Sequence, residues 1–153
     1  MASERLRRML QEARERETAA ALPDRLPGIR CGGYRQETDL PAWVATAIAG
    51  FIRTDSVPVA TIGEDAGPER LADWIESFAR DRGLGDHVLI GTGMRFFPWL
   101  ECVLPGSGWA TAVRAALGED LFAVSADGTV LVAVLAEEYD YLGFAAHASA
   151  PGG

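Results

Sequence analysis

Residues 87–147 carry a succession of short apolar runs separated by tight-turn signals, and this pattern constrains the fold more than any other. His87–Gly91, Leu121–Ser125, Thr129–Leu135 and Tyr139–Ala146 are rich in β-branched or aromatic residues and are bounded by Gly, Asp or Pro. Those are strand signals. The "ADG" after Ser125 reads as a tight hairpin turn with Gly128 at positive φ. A "GTG" joins His87–Gly91 to a further run, Met94–Leu104, interrupted at Pro98. Strands joined by hairpins run antiparallel, so a mostly antiparallel sheet is expected.

Upstream the periodicity is helical. Leu6, Met9, Leu10 and Ala13 form a narrow stripe on a helix over 1–22, which Ser3 can cap. Three prolines and three glycines in 21–41 predict an irregular linker over 23–38, with room for a short strand near Ile29–Tyr34. Asp39 is placed to cap a second helix. Its Trp43, Val44, Ile48, Phe51 and Ile52 leave little polar surface, so it is expected to be the central buried helix. "SVPVATIG" predicts a strand. Pro68 opens a third helix with a Leu71, Trp74, Ile75, Phe78 stripe closed by Gly83, and Glu69, Arg70, Asp73, Glu76 and Arg80 form its solvated face. Ser107–Leu117 is the fourth. Helices alternating with hairpins predict an α+β fold. One domain over 39–147 is expected, with five or six strands, helices packed on one face, an N-terminal amphipathic helix and a frayed tail over 148–153.

Charge narrows the partners. The net charge is −8, and all 14 basic residues are arginine. Residues 1–35 hold eight Arg against five acids, and 36–153 hold six Arg against 17 acids. An acidic body repels nucleic acid and anionic lipid and attracts a basic protein. No apolar run approaches the length of a membrane span, and the first ten residues are charged where a signal peptide is apolar. A cytoplasmic location follows, with Cys31 and Cys102 reduced.

Motifs for chemistry are sparse. "LPGSGW", residues 104–109, has the strand–glycine–helix context of a phosphate cradle. A P-loop requires lysine, which the chain lacks, and Thr111 stands where a dinucleotide fingerprint needs a small residue. Ser107 is therefore read as a helix cap and the glycines as a turn. His87 and His147 have no metal-ligand spacing, and two cysteines make neither a disulfide framework nor a zinc site. No cofactor, no metal and no catalytic residue is assigned. Cys102 in "WLECVLP" reads as a small buried hydrophobe that shares a face with Leu100 and Leu104.

Two candidate sites remain. Glu137, Glu138, Tyr139, Asp140 and Tyr141 interleave acids with tyrosines; they read first as a solvated turn, then as a contact surface for a basic protein, and last as acid–base groups. His87, Trp99, Glu101, Cys102 and Tyr141 would line a pocket between sheet and helices if a ligand were bound. The function expected first is a non-enzymatic, acidic interaction module that neutralises or regulates a basic partner in the manner of an immunity protein or antitoxin. The alternatives are a small enzyme or ligand-binding protein using that pocket, and a homo-oligomeric structural protein assembling through its N-terminal helix.

Overall fold

A computed structural model describes residues 2–148; the rest of the expected frayed tail lies outside the described residues. Seven strands form one antiparallel sheet: β1 (Arg30–Arg35), β2 (Ala60–Gly63), β3 (His87–Gly91), β4 (Trp99–Val103), β5 (Leu121–Ser125), β6 (Val130–Ala136) and β7 (Asp140–His147). Their spatial order is β1-β4-β3-β5-β6-β7-β2. The chain is an α+β single domain with four α-helices, α1 (Ala2–Ala21), α2 (Ala42–Phe51), α3 (Pro68–Asp81) and α4 (Trp109–Leu117).

The hairpins lie where the turn residues put them. Gly128 has φ +75°, and Ser125 and Asp127 close the β5–β6 turn: Thr129 N–H donates to Asp127 Oδ1 at 3.1 Å. Residues 94–98 of the expected Met94–Leu104 strand form a loop instead, because Pro98 supplies no ladder donor. The strand count exceeds the expected five or six because 23–38 contributes more than a connection. It holds a 3-10 turn (Leu22–Arg25) and then β1. Leu22, Leu26 and Ile29 are buried in the main core. In β1 a bulge between Cys31 and Tyr34, at Gly32 and Gly33, returns both side chains to the core side.

Alternation along the strands assigns the two faces. Val88, Ile90, Leu100, Cys102, Ala123, Val132 and Val134 face α3 and α4. Leu89, Trp99, Val124 and Leu131 face α2. Helices thus cover both faces rather than one. The central helix is α3, with Leu71, Ala72, Ile75, Phe78 and Ala79 all buried. On α2 only Val44 is fully buried, contrary to expectation. Its outward positions are Ala45, Thr46, Ala49 and Gly50, which look apolar in a hydropathy pattern yet carry little surface to bury. Gly143 lets the Phe78 ring lie directly on β7; a Cβ there would sit 2.9 Å from Phe78 Cζ.

Helix α1 reaches the core only at its C-terminal end, where Ala19 is buried and its carbonyl accepts from Tyr34 Oη–H at 2.7 Å. Farther back, Phe96 N–H donates to Glu15 Oε1 at 2.7 Å, and Arg8 and Arg95 lie over the Phe96 ring. The Leu6, Met9 and Leu10 stripe is exposed. No helix among the described residues is long and apolar enough to cross a membrane.

Candidate functional site

The glycine loop before α4 does hold an anion, and the anion is the chain's own Glu76. Gly108 adopts φ +84°, which only glycine tolerates readily, and stands at the helix N-cap in place of Ser107. Its N–H donates to Glu76 Oε1 at 3.1 Å, and Ala110 N–H donates to Oε2 at 3.0 Å. A carboxylate at a helix N-terminus satisfies otherwise unpaired amides and lies at the positive end of the helix dipole. Glu76 is therefore a buried cap, 5% exposed, and not part of the solvated face of α3. An exogenous phosphate would have to displace it.

The pocket expected from His87, Trp99, Glu101, Cys102 and Tyr141 is divided by the sheet. Trp99 and Glu101 point to the α2 face; Cys102 and Tyr141 point to the α3–α4 face. Glu101 accepts from Arg35 Nη2 at 2.6 Å, an ion pair between β4 and β1, and lies 3.8 Å from His87 Nε2 on β3. Tyr141 packs with Arg114, whose guanidinium lies 5.2 Å from the ring centroid. Trp99 alone borders a substantial groove, of about 440 Å³, with Ile48, Met94, Phe122, Glu37 and Asp120. Its buried indole N–H has no hydrogen-bond partner among the described residues.

Cys102 is 1% exposed and faces Cys31 directly across the β4–β1 ladder. Burial pushes the Cys102 thiol up to about 12, raises that of Cys31, and pushes nearby Tyr34 up to about 12. Neither thiol is an activated nucleophile at neutral pH.

The Glu137–Tyr141 segment forms the β6–β7 turn and the start of β7. Glu137 N–H donates to Asp140 O at 2.8 Å, which closes the turn, and Tyr139 is 66% exposed at its tip. The sheet order adds residues that the sequence alone did not connect to this segment. Because β2 pairs with β7, Gly63 lies opposite Asp140, and Glu64 N–H donates to Tyr139 O at 2.9 Å. Asp120 Oδ1 accepts from Ala136 N–H at 2.9 Å. Glu64, Asp65, Glu119, Asp120, Glu137, Glu138 and Asp140 are all exposed at this one end of the sheet. Their three connecting segments contain no arginine. Beside them runs a groove of about 500 Å³ whose lining is mixed: Phe51, Phe122 and Leu142 share it with Arg53, Asp120 and Glu137. Among the described residues no three His, Cys, Asp or Glu side chains are grouped to hold a metal ion. The surface thus joins negative charge, an exposed aromatic ring and a groove of mixed polarity. No family model, curated protein or solved structure matches the chain.

Proposed function

We propose that this chain is a non-enzymatic, acidic interaction module of the cytoplasm that binds and neutralises or regulates a basic protein, as an immunity protein or antitoxin does. The observation that carries this reading is the presence of seven exposed carboxylates and the exposed Tyr139 at one end of the sheet, beside a groove of mixed polarity. Acids of this kind steer a basic partner on encounter, and an exposed tyrosine beside a groove supplies the contact that holds it. The test is native mass spectrometry of the chain isolated from its own cells, beside Tyr139→Ala and Glu137→Gln/Glu138→Gln variants. A stoichiometric basic protein that is lost at high salt and absent from the variants supports the reading. A partner retained equally by the variants overturns it, as does a bound small molecule with no protein.

Two observations favour other readings. The groove beside Trp99, walled by Ile48, Met94 and Phe122, would suit a small apolar ligand. The exposed Leu6, Met9 and Leu10 stripe of α1 would suit self-association of the chain.

A further inference from the structure

Cys31 and Cys102 are direct Cα partners in the antiparallel β1–β4 pair. Directly opposed residues in such a ladder have Cα atoms about 4.5–5.5 Å apart, and disulfides span about 4.4–6.8 Å. Both side chains point to the same face of the sheet. We propose that Cys31 and Cys102 are a dithiol that a small disulfide oxidant converts to an intramolecular cross-strand disulfide, which fixes the edge strand β1 to β4.

The order of events follows from access. Cys102 is buried on an inner strand, whereas Cys31 is half-exposed on the sheet's edge, next to a bulge. Cys31, its proton lost to solvent, attacks one sulfur of oxidised glutathione. An S–Sγ bond forms, the reagent's S–S bond breaks, and one glutathione thiolate leaves. Cys102, likewise deprotonated, attacks Cys31 Sγ, forms the Sγ–Sγ bond and expels the second glutathione. Two protein sulfurs are oxidised and the reagent is reduced to two thiols, which take up the two protons. Burial disfavours both thiolates, so the reaction is slow at neutral pH, quickens with rising pH and draws on transient opening of β1. The product closes β2, α2, α3 and β3 into one loop and restricts the unfolded chain.

The test exposes the full native chain to oxidised glutathione, then denatures it in acid and counts free thiols by maleimide addition and intact mass. The expected product is monomeric, carries no free thiol, weighs two hydrogen atoms less, and melts higher than the reduced chain until dithiothreitol reverses the change. Cys102→Ser should stop at a Cys31–glutathione adduct, and Cys31→Ser should leave Cys102 unmodified while folded. The Cys31 variant and the unmutated chain carry the test even if Cys102→Ser does not fold. Two free thiols after incubation, a persistent mixed disulfide on the unmutated chain, an intermolecular dimer, or an oxidised chain that melts no higher each overturn the proposal.

Discussion

Replacing Glu76 with alanine should destabilise the protein far more than any other acidic substitution on α3. The carboxylate accepts from two backbone amides, Gly108 at 3.1 Å and Ala110 at 3.0 Å. A hydrogen bond to a charged group contributes about 1.5–3 kcal/mol net. Ala110 N–H is buried, so alanine leaves it without water as a substitute, whereas the part-buried Gly108 amide recovers some hydration. The loss should therefore be about 3–5 kcal/mol, which already allows for the cost of keeping a carboxylate buried. Glu76→Gln retains the side-chain carbonyl but turns an –NH₂ toward one amide, and should cost about 1–3 kcal/mol. Glu69→Ala, exposed on the same helix, is the control and should stay within about 0.5 kcal/mol. Urea unfolding followed by circular dichroism measures the midpoint shift, which is a stability change if the slope is constant. Hydrogen exchange at Gly108 and Ala110 gives a local readout. A Glu76→Ala loss below about 1 kcal/mol, or unchanged protection of both amides, would refute the capping argument.

Gly143→Ala should cost about 1–3 kcal/mol in the same assay, because the new methyl would press 2.9 Å from Phe78 Cζ in a buried contact. The Asp127 carboxyl is held below its usual 3.8 by hydrogen bonds from Ser125 and Thr129. A depressed folded-state value means that its contribution is complete above 3.8 and fades as pH falls through the lower folded value, so an NMR titration should place it below 3.8 and Asp127→Asn should flatten that part of the acid limb. Under the self-association reading, Leu6→Gln/Met9→Gln/Leu10→Gln lowers the mass measured by sedimentation equilibrium without changing thermal stability, since all three side chains are exposed; an unchanged mass removes that reading.

The hairpins of the C-terminal half were legible because both of their determinants are local: period-two apolar alternation, and turn residues such as Asp127–Gly128 that demand one geometry. The first strand was only faintly legible. "RCGGYR" offers two inward side chains around two glycines, and it becomes a strand because β4, far along the chain, pairs with it. The second helix was misplaced because a count of apolar residues does not weigh Ala and Gly by the surface they carry. Glu76 was misassigned for a different reason: it occupies a polar position in its own helix, and what buries it is the N-terminus of another. The acidic end was half visible. The 137–141 turn stood out in the sequence, whereas Glu64, Asp65, Glu119 and Asp120 join it only through β2 lying beside β7 and through the Asp120–Ala136 hydrogen bond. The five pocket candidates lie on two faces, because adjacent residues of a strand such as Glu101 and Cys102 point to opposite sides of the sheet.

The sheet order also bears on synthesis. Both strands of the N-terminal half lie at opposite edges, and each has its sole ladder partner in the C-terminal half, β4 for β1 and β7 for β2. A nascent chain that has emerged only as far as α3 has no ladder to join, and the apolar stripe of α3 has no sheet to cover. Pairings this distant in sequence form slowly and leave apolar surface open in the meantime. Residues 87–147 can assemble their own hairpins first, and the earlier half then docks onto them. The ribosome thus delivers the pieces of this molecule in nearly the reverse of the order in which they can be used, and the half made first is the one most exposed to aggregation or chaperone capture while it waits.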